Sequence, residues 1–131
     1  MNEEKLNKLP SDVKKQFLKL ALKLSEKKTK TKVHNDFLTF VKHVWPEFIE
    51  GEHHKEIAEK FNQIAQGKIK RLIINMPPRH TKSEFASFLL PAWMVGRKPD
   101  LKIIQTTHTT ELAIRFGRKA KTLMDDPIYK Q

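Results

Sequence analysis

The 131 residues suffice for one compact domain but not for two full ones, and a hydrophobic share of 38% is enough for a modest core. The absence of cysteine excludes a disulfide scaffold, a thiolate metal site and a cysteine nucleophile, and it agrees with a reducing, intracellular setting. No apolar run approaches the roughly 20 residues that span a bilayer, and the acidic amino terminus is unlike a secretory signal, so we expect a soluble protein without a membrane partner.

The charge of the chain is basic and unevenly distributed. The formal net charge is +11 at pH 7, and residues 1–32 alone carry ten lysines against four acids. A strongly basic domain is predisposed to polyanions, because its lysines neutralise phosphates and release counterions. Two interpretations of the basic segment stay open: a solvated helical face, or a surface that contacts DNA or an acidic partner.

Helical spacing dominates the first half of the chain. Apolar residues recur at that spacing after Pro10, and KKTKTK from about residue 27 is typical of a linker, so residues 1–34 are predicted to be a basic helical segment and linker. Further helices are predicted over 35–44 and 52–66, ended by Pro46 and Gly67. Their predicted inward residues are Phe37, Phe40, Val41, Val44, Ile57, Phe61, Ile64 and Ala65.

The pattern changes at residue 71. The run RLIINM at 71–76 is short, apolar and rich in β-branched residues, and a double proline ends it, so it predicts a buried strand of a parallel sheet. A loop at 77–81, a helix over 82–95, a second strand over 101–106 and a last helix ending before Pro127 follow. Strands that alternate with helices predict an α/β fold, here part of a parallel sheet flanked by helices and preceded by N-terminal helices.

The loop before Lys82 is the most informative segment. Backbone N–H groups at a helix N-terminus carry partial positive charge and accommodate a phosphate. In that setting the Lys82 ammonium would reach the β- and γ-phosphates of ATP, and the Ser83 hydroxyl would ligate Mg²⁺. From these residues alone, an ordinary helix start is an alternative that stays open.

The loop departs from the P-loop pattern G-x-x-x-x-G-K-[ST] at both glycine positions. Met76 and Thr81 stand there, and only the Lys-Ser end matches. A left-handed backbone at Thr81 would cost its β-branched side chain roughly 1–2 kcal/mol. Either the loop follows a different path, or its grip on phosphate is weakened. Pro77 and Pro78 supply no N–H, so a phosphate cradle would begin at Arg79.

A family resemblance covers about residues 35–131 in continuous order. RLIINMPPRHTKSE and LLPAWMVGRKPDLKIIQTTHTTELAIRFGRKAKTLM resemble the N-terminal ATPase region of phage terminase large subunits, and FLTFV, the following WP and GEHH also fit. The resemblance implies that residues 35–131 are the N-terminal part of a P-loop ATPase domain. That domain would be the ATP-binding portion of a motor that drives double-stranded DNA into a capsid.

The resemblance also implies roles for single residues. Lys82 and Arg79 would act in catalysis, and Arg79 would work in cis on the γ-phosphate or serve as a plain phosphate contact. His53 and His54 lie where these ATPases approach the adenine, with a surface pair as the alternative. His80 would contact phosphate or fill the loop. The implied nucleotide contacts are Pro78, Arg79, His80, Thr81, Lys82, Ser83, Glu84 and His54, and the implied metal ligand is Ser83.

The expected partners follow from the same family: double-stranded DNA, a portal protein, a small terminase subunit and further copies of the chain in a ring. The expected location is the host cytoplasm and, transiently, the procapsid portal. Two alternative functions stay open. One is another P-loop ATPase of helicase-like type, and the other is a basic nucleic-acid-binding protein without catalysis.

The carboxylates that ATP hydrolysis needs normally end a further apolar strand. The near match, LMDD at 123–126, is predicted to be a helix end. We therefore expect the acidic Walker B strand and the nuclease domain of the family to lie beyond Gln131. These 131 residues are expected to bind ATP weakly and to turn it over negligibly.

Overall fold

The computed structural model of the chain describes residues 10–130, and the chain divides into two compact units, one up to Thr31 and one from Lys32. A π-helical segment, Phe85–Leu89, joins two helices into one continuous helical path over residues 82–97. No described helix is both long and apolar enough to cross a membrane. The helices are α1 (Ser11–Asn35), α2 (Phe37–Val44), α3 (Glu52–Ala65), α4 (Lys82–Glu84), α5 (Leu90–Arg97) and α6 (Thr110–Asp125).

Helix α1 is longer than the sequence pattern predicts. It continues through KKTKTK, which is therefore helical and not a linker. Lysine has good helix propensity, and the two threonines in the run satisfy their hydroxyls within the helix. Thr29 Oγ1 donates to the Ser25 carbonyl at 3.0 Å, and Thr31 Oγ1 donates to the Lys27 carbonyl at 2.9 Å.

The core of the second unit forms where α2 and α3 meet the helical path over residues 82–97. Phe37 is fully buried there, and its ring makes edge contacts with Phe61, Phe85 and Trp93 at centroid distances of 5.1, 5.4 and 5.4 Å. The predicted inward faces of α2 and α3 are confirmed at their centres, while the residues at their carboxyl ends are only half-buried. The buried members are Phe37, Phe40, Val41, Ile57 and Phe61, and the half-buried ones are Val44, Ile64 and Ala65.

The predicted parallel sheet, and with it the α/β P-loop class, is wrong for the described residues. Between residues 10 and 130 no residue joins a β-ladder, and the chain is mostly helical. The side chains of residues 71–76 alternate between the core and the solvent: Leu72, Ile74 and Met76 pack against the helical core, while Ile73 is 85% exposed. A strand also needs a neighbour that pairs its N–H and C=O groups, and neither 71–76 nor 101–106 has one within this range.

The helix that follows the loop contains a widened turn. It was predicted over 82–95 and extends to Arg97. The Leu90 N–H donates to the Phe85 carbonyl five residues earlier, and Pro91 follows directly without an N–H of its own. A proline in a helix removes one regular bond, and the wider turn accommodates that loss. Phe85 and Leu89 both lie buried on this turn, so it fixes the start of the helix to the core.

The last helix ends as the sequence predicts. Thr109 caps its start, with Thr109 Oγ1 accepting from the Leu112 N–H at 3.4 Å. Asp125 is its last residue and Asp126 its C-cap, so the acidic pair of LMDD is a helix terminus. Tyr129 then donates its hydroxyl to the Ala92 carbonyl at 2.7 Å and packs edge-on against Phe40.

Candidate phosphate-binding loop

The loop before Lys82 holds the two non-glycine residues with positive φ among the described residues. Arg79 has φ +65° and Thr81 has φ +55° with ψ +5°, which is the left-handed helical region. For a β-branched residue such as threonine this conformation is strained. The left-handed backbone that the glycine of the P-loop pattern would supply is thus present here, at a threonine.

The backbone changes hand between Thr81 and Lys82. Thr81 is left-handed, and Lys82 begins the right-handed helix, with the Phe85 N–H donating to the Thr81 carbonyl at 2.9 Å. Such a change of hand turns successive N–H groups towards the same side and creates a concavity that suits an anion. The first-turn N–H groups have no intrahelical acceptor, and no side-chain cap bond forms at Thr81. The loop therefore presents backbone donors at the helix start.

The side chain of Lys82 spans the loop. Its Nζ donates to the Pro77 carbonyl at 3.1 Å, a bond that is exposed to solvent. Pro78, Arg79, His80 and Ser83 are exposed, whereas Thr81 is half-buried. The loop consequently carries two cationic residues, the exposed Arg79 and Lys82, the first residue of the helix.

His54 lies beneath the loop and contacts it directly. It is 7% exposed and packs against the rings of Phe48 and Phe85. Its Nδ1 accepts from the Gly51 N–H at 2.9 Å, so in the neutral ring the proton is on Nε2. That Nε2 lies 2.5 Å from Thr81 Oγ1 and donates to it. Both ring nitrogens are used within the protein, whereas the family resemblance implied contact with an adenine, with a surface histidine pair as the alternative.

Three histidines meet at this point. The ring of His53 lies 3.8 Å from that of His54 and 5.6 Å from that of His80, and His53 Nε2 is buried without a partner. The pKa of His54 is lowered, first by burial and then by His53 and His80, while Glu50 acts in the opposite direction. His54 is therefore neutral at pH 7, which agrees with the acceptor role of its Nδ1.

Glu84, the third residue of α4, is held by an ion pair. Lys119 Nζ on α6 lies 2.8 and 2.7 Å from its two carboxylate oxygens and also 5.2 Å from the centre of the Phe88 ring. This ion pair connects the first turn after the loop to α6, and it neutralises the carboxylate of the residue that follows Ser83 in the chain.

The donor set fits an anion better than a free metal ion. The described residues contain no group of three His, Asp or Glu side chains that would hold a metal. Mg²⁺ in nucleotide sites is held largely by substrate phosphates and water, with one or two protein oxygens. The exposed Ser83 hydroxyl suits that smaller role, with the nucleotide bringing the metal.

The structure places His54 against the loop at residues 79–83, through its bond to Thr81. The sequence did not predict this bond, which joins residues 27 positions apart. The sequence does carry a signal for the other bond of His54, since a side chain three residues after the cap Gly51 can reach back to the cap backbone.

No family model, no curated protein and no solved structure matches this chain. The resemblance to terminase large subunits accordingly stays a prediction from the residues.

Proposed function

We propose that the loop at residues 77–83 binds the phosphate tail of a nucleoside triphosphate, ATP with Mg²⁺. The observation that carries this proposal is the left-handed Thr81 directly before the right-handed start of the helix at Lys82. Strained non-glycine backbone persists only where its surroundings hold it, and such residues cluster at ligand sites. Here the strain accompanies uncapped N–H groups and two cationic side chains.

Each side chain has a chemical task in this proposal. The Lys82 ammonium exchanges its exposed bond to the Pro77 carbonyl for a charge-assisted bond to phosphate, which is the stronger of the two. Arg79 adds a second cation, and His80 and the neighbouring backbone N–H groups contact the phosphate oxygens. Ser83 contributes one oxygen to Mg²⁺, and the pairing of Glu84 with Lys119 keeps a free negative charge away from the nucleotide.

Replacing Lys82 with alanine tests the site. We expect the dissociation constant of Mg-ATP to rise about tenfold, a loss of about 1.4 kcal/mol, measured by titration calorimetry on the whole chain. Lys70→Ala is the matched control, because it removes the same charge from an exposed lysine outside the loop. A wild-type chain that binds no Mg-ATP, or equal losses in both variants, would rule the site out.

The larger proposed function is the ATP-binding part of a viral DNA-packaging motor of the terminase large-subunit kind. It is supported by the likeness over residues 35–131 and by a basic chain suited to DNA. In that role copies of the complete protein form a ring with a portal protein and a small terminase subunit, in the host cytoplasm and at the procapsid portal. A helicase-like ATPase is the alternative, since it would bind ATP with the same loop. An acidic nuclease cluster elsewhere in the protein would distinguish a packaging motor from a helicase-like ATPase.

A specific observation favours a DNA contact on α1. Lys19, Lys23, Lys27 and Lys30 recur at intervals of four, four and three residues, so they share one side of the helix, and all four are exposed. A lysine stripe along a helix is the electrostatic footprint of a phosphate-binding surface. We call these four residues the lysine stripe and assign it to the double-stranded DNA partner.

Changing the lysine stripe to glutamine should make DNA binding less dependent on salt. If each lysine neutralises one phosphate, the slope of log K against log salt concentration becomes shallower by about 3.6, since each contact contributes about 0.9. Glutamine keeps the helix propensity of lysine. Fluorescence anisotropy with a duplex of unrelated sequence measures the slope.

The control variant removes the same total charge elsewhere, by changing to glutamine four other exposed lysines, Lys68, Lys70, Lys98 and Lys102. We expect a clearly smaller change in slope for this control. Identical slopes for the two quadruple variants would mean that net charge alone attracts DNA and that the lysine stripe is not the contact.

A further inference from the structure

We infer that His54 is a positioning residue for the phosphate loop: its imidazole holds Thr81 in the left-handed conformation that phosphate binding requires. The inference rests on the proposed function of the loop. It assigns to the pair His54–Thr81 the conformational task that a glycine performs in a P-loop pattern.

Thr81 needs such a restraint because its own conformational preference opposes the observed backbone. Left-handed φ brings Cβ close to the neighbouring carbonyl oxygen, and only residues without a Cβ avoid this contact. The restraint visible at Thr81 is the hydrogen bond from His54 Nε2 to its Oγ1. This bond places the threonine side chain and therefore also limits the rotation of the backbone that carries it.

His54 can act as a restraint because it is itself fixed on several sides. The Gly51 N–H occupies its Nδ1, and the rings of Phe48 and Phe85 lie 4.8 and 5.2 Å from its own. Phe85 is fully buried in the turn that follows the loop. The imidazole thus links the start of α3, the loop and the core, and the Gly51 bond leaves its second nitrogen as the donor that Thr81 needs.

The assignment makes a prediction that a mere core role would not make. If His54 works through Thr81, its effect on phosphate binding must vanish when residue 81 no longer needs a restraint. Thr81→Gly creates that situation, since glycine adopts positive φ without cost and has no hydroxyl to receive the bond. The two substitutions should therefore be strongly non-additive.

The experiment is a double-mutant cycle on the whole chain with Mg-tripolyphosphate as the probe. His54→Leu introduces an apolar side chain of similar volume and removes the donor, and we expect it to weaken binding about tenfold in the wild-type background. In the Thr81→Gly background the same change should alter binding less than about twofold. A coupling of this size corresponds to about 1 kcal/mol, because a tenfold change equals about 1.4 kcal/mol.

Conservative variants test the same bond from both ends. His54→Gln retains an N–H donor and should recover most of the affinity that His54→Leu loses. Thr81→Val removes the hydroxyl while keeping the branched shape, and it should lose about as much as His54→Leu, whereas Thr81→Ser should bind almost like the wild type. The threonine variants decide the question even where His54→Leu does not fold.

The outcomes separate the two proposals. If the wild-type chain binds no tripolyphosphate, both the proposed phosphate site and the positioning role of His54 are refuted. Binding by the wild type, with equal losses for His54→Leu in both backgrounds or with no loss for Thr81→Val, leaves the site standing and overturns the positioning role of His54.

Discussion

Replacing Phe37 with alanine is expected to lower the free energy of unfolding by about 3–5 kcal/mol. Phe37 is fully buried, and its ring is surrounded by Phe61, Phe85 and Trp93, which come from α3 and from the helical path over residues 82–97. Close-packed neighbours relax only partly into the space of a deleted ring, so the lost transfer energy and a cavity add together. Urea denaturation followed by far-ultraviolet circular dichroism measures the change.

Phe17→Ala is the matched control, because it removes the same ring from α1, where the side chain is 40% exposed. We expect this control to cost less than about 1 kcal/mol, as is usual away from the core. Similar losses for the two variants would contradict the placement of Phe37 at the centre of the core. Phe37→Ala should also weaken phosphate binding, because the Phe37 ring packs against Phe85, and Phe85 supports His54 beneath the loop.

The helices of the second unit were predictable because each buries one continuous face. Apolar residues at helical spacing lie on one side whatever the helix packs against, so the inward positions Phe37 and Phe61 follow from local sequence. The helix that begins at Lys82 follows in the same way. The end of α1 was predicted too early: the helix extends to Asn35, because lysines and threonines can continue a helix as well as end it.

The same sequence could not show whether the two β-branched runs would pair into a sheet, and in the described residues they do not. A β-branched run such as 71–76 indicates a side-chain pattern, but a strand also requires a partner, and nothing local specifies one. In the described chain Leu72, Ile74 and Met76 use their alternation to cover a helical core. The prediction of a buried strand is therefore wrong: Ile73 is exposed, and no neighbour pairs this backbone within the described residues.

The candidate site was predictable in part. A threonine at a glycine position raised the question of a left-handed backbone, and the structure has that backbone at Thr81. The support from His54 was not predictable, because a hydrogen bond between residues 27 positions apart depends on how α3 packs against the loop. Local sequence thus indicates where a backbone is unusual, while the tertiary fold determines what holds it.

Asn62→Ala is expected to lower the free energy of unfolding by about 2 kcal/mol at pH 7, within the range for leaving buried hydrogen-bonding groups unpaired. Asn62 connects α3 to the start of α2: its Oδ1 accepts from the Phe37 N–H at 2.9 Å, and its Nδ2 donates to Asp36 Oδ1 at 2.8 Å. Asp36 is the N-cap of α2, and its Oδ2 accepts from the Thr39 N–H at 2.8 Å. Removing the amide therefore leaves a backbone donor in the core unpaired and loosens a helix cap.

The same substitution should change how stability depends on pH. Burial alone would raise the pKa of Asp36, but hydrogen bonds from Thr39 and Asn62, together with the charge of Lys42, outweigh it and hold the pKa below its ordinary value of 3.8. A folded-state pKa that is depressed gives stability that is present above about pH 4 and is lost as the pH falls through the folded value. Asn62→Ala removes one of these bonds, so the difference in stability between wild type and variant should shrink as the pH is lowered below 4.

Urea denaturation at pH 7 and at pH 3 tests both parts. Gln63→Ala is the control, because it removes an amide from the next position of α3, where Gln63 Nε2 donates to the exposed Glu59 Oε1 at 3.2 Å. We expect this control to cost less than about 0.5 kcal/mol, as for a surface substitution, and to leave the pH dependence unchanged. A difference between wild type and Asn62→Ala that is as large at pH 3 as at pH 7 would show that the Asp36 carboxylate is not part of what Asn62 stabilises, and the amide would then act through Phe37 alone.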